Sequence, residues 1–209
     1  LVVDTPKAFS TFGEVVVLLL IQFGGLGYMT LSTVTAALLG RRPSLQERLT
    51  LQEAFNIDAL EGIVRFARSV AATALAFEAI GAILLAARFA WDYPLGRSAY
   101  LGAFHAVSAF NNAGFSLFSD NLMSYRGDLT VNLVVPLLTL SGGLGFLVLR
   151  EVRDWLGSGD IVRSFSKIST HSRLVLVLTA ALVTSATLLL LLLEGGNPRT
   201  LGGLSPGEA

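Results

Sequence analysis

Polar residues accumulate in an uncharged stretch in the middle of the chain. Residues 98–119 form a 22-residue window without a charged side chain. Its polar residues and glycines include Ser98, Gly102, His105, Ser108, Asn111, Asn112, Gly114 and Ser116. Lipid cannot satisfy such polar groups. Backbone oxygens in a stretch of this kind can instead bind a cation by replacing its hydration water.

A short helix followed by a glycine-containing turn is predicted within this window. Apolar residues recur at helical spacing over residues 97–110, namely Leu101, Phe104, Val107 and Phe110. The segment Asn111-Asn112-Ala113-Gly114-Phe115 ends the pattern, because Asn and Gly favour left-handed backbone. A helix C-terminus carries roughly half a negative charge, and the carbonyl oxygens of the following extended segment would add to it. This arrangement favours a cation site.

Three further polar positions are candidates for holding this turn. The Asn111 and Asn112 side chains either cap the short helix or hold the loop. His105 is predicted to be a hydrogen-bonded interior residue of the short helix. Glu78 lies within the apolar stretch of residues 69–87. A carboxylate in such a stretch either has a function or is paired with another polar group. As a paired group, Glu78 would accept hydrogen bonds from backbone N–H groups of the hairpin or from His105.

Several other kinds of chemistry are excluded or left as alternatives. The chain has no Cys, two His and zero net charge, which argues against disulfides, Cys-ligated zinc, a His-based metal site and nucleic-acid binding. An intramembrane hydrolase using Ser116 and His105 remains an alternative, although an oxyanion hole is not evident. A noncatalytic membrane assembly subunit is the other alternative.

The composition predicts an all-α integral membrane protein. Hydrophobic residues make up 53% and charged residues 14%, against about a quarter charged in soluble domains. Four windows are long enough to cross roughly 30 Å of hydrocarbon. These are residues 15–39, 69–87, 129–149 and 174–193, of which only 69–87 contains a charge, Glu78.

The distribution of basic residues predicts that residues 98–119 form a re-entrant hairpin rather than a fifth span. Residues 40–68 and 150–173 each contain five Lys or Arg, whereas residues 88–128 contain three. The positive-inside rule places both basic segments in the cytoplasm. An even number of crossings must then separate them, and residues 69–87 and 129–149 already supply two.

An internal repeat predicts that the chain is built from units of helix, re-entrant loop and helix. Gly24-Gly25-Leu26-Gly27 recurs as Gly142-Gly143-Leu144-Gly145, 118 residues later. These glycines are predicted to allow close helix packing or bending. Residues 1–65 would hold the last helix of one unit and a cytoplasmic linker. Residues 66–150 would form a complete unit, and residues 151–209 a linker and the first helix of the next. The chain is expected to be a piece of a longer protein.

Three motifs resemble the Trk/Ktr/HKT potassium transporters, in particular their Ktr-type membrane subunits. The motifs are residues 21–30 (IQFGGLGYMT), residues 45–56 (LQERLTLQEAFN) and residues 108–116 (SAFNNAGFS). They occur in the family's order, and the resemblance covers essentially the whole chain. It implies a pore of four units around one axis, each unit contributing a glycine-centred loop to a potassium filter.

The resemblance also implies roles for individual residues. Gly114 would be the filter glycine, with Asn112, Ala113 and Phe115 supplying neighbouring backbone. Potassium would be bound by the backbone of residues 112–114, while Asn111, His105 and Glu78 would support the filter. The chain contains one of the four filter segments, so we expect it to carry no potassium current by itself.

The family's biology implies further properties of the whole protein. It would be a multi-pass protein of the bacterial inner membrane, surrounded by lipid, and would not be an enzyme. It would take up potassium as substrate, with sodium as a candidate coupling ion, and would hold no tightly bound cofactor. The resemblance also implies a homodimer on a cytoplasmic ring of nucleotide-binding regulatory subunits, and no nucleic-acid partner.

The topology can be tested by cysteine labelling. We predict that Arg41 and Arg163 face the cytoplasm and that Tyr125 and Asn197 face outside. Because the chain has no Cys, single introduced cysteines in intact cells report their side through an impermeant thiol reagent. Labelling at positions 125 and 197 is expected. Labelling at position 41 but not at 197 would overturn the hairpin interpretation.

Overall fold

The computed structural model describes residues 4–27, 62–156, 168–197, 200 and 203, whose regular structure is entirely helical. The α-helices are α1 (Thr5–Ala8), α2 (Thr11–Leu26), α3 (Gly62–Phe89), α4 (Leu95–Phe110), α5 (Leu129–Leu144), α6 (Phe146–Leu156) and α7 (Thr170–Glu194). A 3₁₀ turn covers Met123–Tyr125. The chain forms two compact units, one of Leu1–Met123 with Thr130–Gly143 and one of Ser124–Leu129 with Leu144–Ala209.

Helices α3 and α4 form an antiparallel pair in the first unit. The buried residues of α3 form one stripe along the helix, made of Ala74, Glu78, Gly81, Leu85 and Phe89. The Phe77 ring stacks on Phe110 at 5.8 Å, and the Phe89 ring meets His105 at 5.9 Å. The order of these contacts reverses between the two helices, so α4 returns along α3.

Gly102 allows α4 to approach α3 at backbone distance. A Cβ added at Gly102 would lie 2.6 Å from the carbonyl oxygen of Ala82 and 2.7 Å from the backbone nitrogen of Ala86. Neither atom can rotate away as the end of a long side chain could. Glycine at this position therefore sets the distance between the two helices.

Helix α2 packs parallel to α4. At one end of the contact, the Tyr100 hydroxyl donates a 2.8 Å hydrogen bond to the buried carboxylate of Glu14. At the other end, the Asn111 side chain packs against Gly25. Both contacts join residues 86 positions apart. The two helices therefore run parallel and in constant register over eleven residues.

Helices α2 and α5 both end at the leucine of the Gly-Gly-Leu-Gly repeat. Gly27 follows α2 with φ 75°, and Gly145 follows α5 with φ 83°. A positive φ cannot continue a right-handed helix and favours glycine. The predicted continuous helix over residues 129–149 is therefore broken at Gly145, with α6 starting at Phe146.

The membrane spans are confirmed in part. Two helices of the described residues, Arg68–Phe89 and Thr170–Glu194, are long and apolar enough to cross a bilayer. Helices α5 and α6 pass the same test only as a bent pair, which would give three spans. For the predicted window 15–39, α2 is a shorter apolar helix, and residues 28–39 lie outside the described part of the chain.

In the second unit, polar contacts join α6 to the start of α7. The Glu151 carboxylate accepts a 2.8 Å hydrogen bond from the backbone N–H of Ser169. The Ser169 hydroxyl in turn caps α7 by accepting from the N–H of Ser172 at 3.2 Å. Beyond this polar end, no part of the apolar stretch of α7 is buried by the described residues, as expected of a helix that faces lipid or other helices.

The close approach of α3 and α4 gives a stability prediction for the full-length parent. Gly102→Ala should force the two helices apart and destabilise the fold by about 1–3 kcal/mol, as overpacking does. Gly96→Ala is the matched control, because it lies on the same helix and no described atom lies within 4 Å of an added Cβ. Thermal unfolding of the purified proteins in detergent should show a lower Tm for Gly102→Ala only. Equal Tm values would contradict the backbone contact.

Candidate functional site

Helix α4 ends in a turn of irregular backbone over residues 111–116. The N–H of Asn111 donates to the Val107 carbonyl at 3.1 Å, and the N–H of Ala113 reaches back to the Ser108 carbonyl at 2.8 Å. Asn112 adopts φ 54° and Gly114 φ 70°. The sequence prediction of a short helix followed by left-handed backbone is therefore confirmed.

The Asn111 side chain holds the turn to two neighbouring helices. Its amide nitrogen donates to the Glu78 carboxylate and to the Val107 carbonyl, both at 2.9 Å. Its amide oxygen lies where a Cβ of Gly25 would stand. Glu78 is buried, so the hydrogen bond offsets part of the cost of burying its carboxylate. Neither suggested partner of Glu78, a backbone N–H of the hairpin or His105, bonds it among the described residues; the Asn111 side chain does.

The Asn112 side chain holds the turn to α5. Its amide nitrogen donates to the Thr139 carbonyl at 3.2 Å and to the Phe110 carbonyl at 3.3 Å. The Phe110 carbonyl oxygen itself packs against Gly142, where an added Cβ would overlap it. Both asparagine side chains thus hold the loop. Besides its loop contact, each also bonds a carbonyl in the last turn of α4.

The carbonyl groups of the turn differ in their hydrogen bonding. Phe115 accepts a 2.7 Å hydrogen bond from the Ser108 hydroxyl, which gives its carbonyl a structural role. Among the described residues, no hydrogen bond is donated to the carbonyl oxygens of Asn112, Ala113 or Gly114. Asn112 and Gly114 are exposed on the surface of the unit. Three consecutive carbonyl groups of the turn therefore have no donor within the part of the chain that the structure describes.

His105 and Ser116 connect the short helix to the returning segment. The Nδ1 of His105 lies 2.8 Å from the Leu101 carbonyl, which can only accept, so Nδ1 carries the proton. Its Nε2 then accepts from the Ser116 hydroxyl at 2.9 Å and from the Leu117 N–H at 3.4 Å. The Ser116 oxygen also accepts from the N–H of Phe118 at 3.0 Å.

Aromatic packing supports this connection. The Phe118 ring stacks on His105 at 4.9 Å and meets Phe89 edge-on at 5.5 Å. His105 is 3% exposed. Its prediction as a hydrogen-bonded interior residue is confirmed, and its role is to fix the returning segment against α4.

The end of the returning segment lies near the start of the described chain. Lys7 binds the Asp4 carboxylate at 2.8 Å. This contact, with a hydrogen bond from Ser119, holds the pKa of Asp4 below its ordinary value. The end of the returning segment therefore contacts the start of the described chain through Ser119 and Asp4.

The structure brings together most of the residues predicted from the sequence. Residues 112–114 form the exposed turn, with Asn111 and Glu78 on one side and His105 behind it. The sequence prediction missed Ser108, Thr139 and Gln22, which lies beside the Glu78 carboxylate. Their neighbours are distant in sequence or specified by backbone geometry, so no local pattern identified them. Arg41, Arg163 and the motif over residues 45–56 lie outside the described residues.

Comparison with known proteins gives consistent matches. The TrkH family profile, described as cation transport protein, matches residues 1–194. The chain is 42% identical over 203 residues to the Ktr system potassium uptake protein B of Bacillus subtilis, covering 97% of this chain and 44% of that protein. It is 37% identical over 207 residues to the protein of the same name from Vibrio alginolyticus, covering 99% and 44%.

A third relative extends the range of transported ions. The chain is 30% identical over 191 residues to the potassium/sodium uptake protein NtpJ of Enterococcus hirae, covering 91% of this chain and 41% of that protein. The chain thus spans less than half the length of these relatives. The family is one of transporters and not of enzymes. The chain belongs to the TrkH family of cation transport proteins.

Proposed function

We propose that this chain is part of the pore-forming subunit of a potassium uptake system and contributes one segment of its selectivity filter. The observation that carries the proposal is the row of carbonyl groups of Asn112, Ala113 and Gly114, which receive no hydrogen bond from the described residues. Carbonyl oxygens of this kind can replace the hydration shell of potassium. The names of the potassium uptake relatives support the choice of ion.

The electrostatics of α4 favour a cation at this turn. The helix places its C-terminal end, with roughly half a negative charge, directly before Asn112. The side-chain amides of Asn111 and Asn112 donate to groups behind the turn. Side-chain amides therefore hold the loop, while backbone oxygens remain for the ion.

The whole protein is proposed to act in the bacterial inner membrane. Its substrate is potassium, and sodium is a candidate coupling ion, in line with the name of the Enterococcus relative. The four-unit pore, the homodimer and the cytoplasmic ring of nucleotide-binding regulatory subunits are part of the same proposal. They rest on the resemblance of the quoted motifs and on the relatives' description as parts of a Ktr system.

Gly114 provides the test of the filter assignment. Its φ is 70° and no described atom lies within 4 Å of an added Cβ, so a side chain there strains the backbone without a clash. In the full-length parent, Gly114→Ser should cost on the order of 1–3 kcal/mol at the turn, which is enough to lower the preference for potassium over sodium before folding fails. The measurement is rubidium and sodium uptake by cells at matched membrane levels.

Gly96→Ser is the matched control for this experiment. It also adds a side chain in open space, but at a helical glycine without positive φ. Asn121, although it lies outside the hairpin, is not a suitable control because its own φ is 61°. If Gly114→Ser keeps the parent's ion preference and potassium affinity, the turn over residues 112–114 is not the filter.

Ser116 separates the transport proposal from the hydrolase alternative. In the full-length parent, Ser116→Ala should leave ion uptake measurable, because Ser116 lies behind the turn and bonds His105 and Phe118. It should lower stability by about 1–3 kcal/mol, since the buried His105 ring loses its contact with the Ser116 hydroxyl and the part-buried Phe118 N–H loses Ser116 as acceptor. The measurements are rubidium uptake and Tm. Ser185→Ala, at an exposed serine bonded only to its own helix, should change neither. Loss of all activity at unchanged Tm would favour a chemical role for Ser116.

A further inference from the structure

The two Gly-Gly-Leu-Gly motifs are structurally equivalent. In each, the helix ends at the leucine, Leu26 in α2 and Leu144 in α5. The last glycine follows with a positive φ, 75° at Gly27 and 83° at Gly145. The alignment of the two copies is therefore fixed, so Gly24 corresponds to Gly142 and Gly25 to Gly143.

The two motifs contact the same helix end through different glycines. In the first motif the second glycine, Gly25, packs against the Asn111 side chain. In the second motif the first glycine, Gly142, packs against the Phe110 carbonyl oxygen. The end of α4 thus lies between two glycines. One is Gly142, the first glycine of the motif in its own sequence repeat, and the other is Gly25, the second glycine of the motif in the preceding repeat.

The remaining two glycines have no comparable neighbour in the described part of the chain. No described atom lies within 4 Å of a Cβ added at Gly24, and at Gly143 only the Asn112 amide nitrogen comes within range, at 3.9 Å. Successive residues of a helix point about 100° apart. The two glycines of each pair can therefore contact two different neighbours. In each pair one of these neighbours is the end of α4, which contacts Gly25 and Gly142.

We propose that each Gly-Gly pair seats the ends of two adjacent filter hairpins. The first glycine receives the backbone carbonyl at the end of its own unit's short helix, and the second receives the asparagine side chain of the following unit. Gly143 would then contact the asparagine side chain at the end of the short helix in the following repeat. Gly24 would contact the backbone carbonyl at the end of the short helix in the repeat that precedes α4. This inference rests on the proposed filter role of the turn, since it assigns the residues that position it.

Glycine is needed at these seats for a steric reason. The Asn111 amide donates to both Glu78 and Val107, so its oxygen has no freedom to move away from a methyl group at position 25. The Phe110 carbonyl is main chain, and a methyl group at position 142 would displace the turn itself. A displaced turn changes the positions of its carbonyl groups, which is a change in ion binding rather than in helix formation.

The test uses four alanine variants of the full-length parent, at positions 24, 25, 142 and 143. Each should lower the apparent potassium affinity, or the preference for potassium over sodium, by on the order of tenfold. Competition of rubidium uptake by potassium and by sodium, at matched membrane levels, measures both quantities. Gly96→Ala, a helical glycine with open space around it, should match the parent.

A double variant tests the contact at Gly25 directly. In the Asn111→Ala background the clashing side chain is absent, so Gly25→Ala should add no further loss. Gly143→Ala should add its full loss in the same background, because its neighbour is a different hairpin. If Gly25→Ala fails to reach the membrane, recovery of membrane levels by Asn111→Ala supports the same contact. Continued absence contradicts it.

The decisive outcomes concern Gly24 and Gly143. Behaviour like that of Gly96→Ala at both positions would overturn the two-sided seat. Failure of these variants to accumulate, while Gly96→Ala accumulates, supports the seat, because alanine in open helical space does not harm folding. If Gly114→Ser leaves ion preference and potassium affinity unchanged while the alanine variants at positions 24, 25, 142 and 143 lower them, the filter assignment of the turn is rejected. The proposed contacts of the Gly-Gly pairs are then retained.

Discussion

In the proposed re-entrant arrangement, the irregular backbone at the end of α4 lies at membrane depth, so its polar groups must be satisfied by protein rather than by lipid. The turn after Phe110 would expose polar groups to lipid if it stood alone. Side chains from the same hairpin and from α3 satisfy the structural groups, with Ser108 bonding the Phe115 carbonyl and Glu78 bonding Asn111. The carbonyl groups of Asn112, Ala113 and Gly114 receive no hydrogen bond from the described residues, which is why the proposed ion site is placed there.

Glycine is the residue that makes this arrangement possible, and it acts in two distinct ways. Gly102 and Gly142 allow main chain to approach main chain, because a Cβ would meet backbone atoms there. Gly114 and Gly145 instead supply a positive φ in open space. The sequence alone does not distinguish a glycine that allows close backbone contact from one that adopts a positive φ, since both interrupt the same apolar pattern.

The local features of the site could be predicted from the sequence, whereas its long-range partners could not. Helical spacing before Phe110 and the Asn and Gly residues after it predicted the short helix and its turn. Hydropathy predicted α3 and α7 as spans. The suggested partners of Glu78 were backbone N–H groups of the hairpin or His105, whereas the structure shows the Asn111 side chain, because that choice depends on the register of α3 against α4. The sequence left open whether the glycines of the repeat pack or bend their helices, because a bending glycine and a packing glycine look alike in an uncharged window, and the structure shows a break at Gly145.

The use of side chains to hold the turn explains why a carboxylate is buried in α3. An apolar residue at position 78 would avoid the cost of burying Glu78, but it would leave one N–H of the Asn111 amide without an acceptor. A backbone carbonyl could replace the Glu78 carboxylate as acceptor only if another irregular segment lay beside Asn111. The N–H and C=O groups of that segment would then need hydrogen-bond partners of their own. A single carboxylate on a regular helix satisfies the amide without that addition. Its position on the helical backbone of α3 also fixes the loop more firmly than a contact from another loop would.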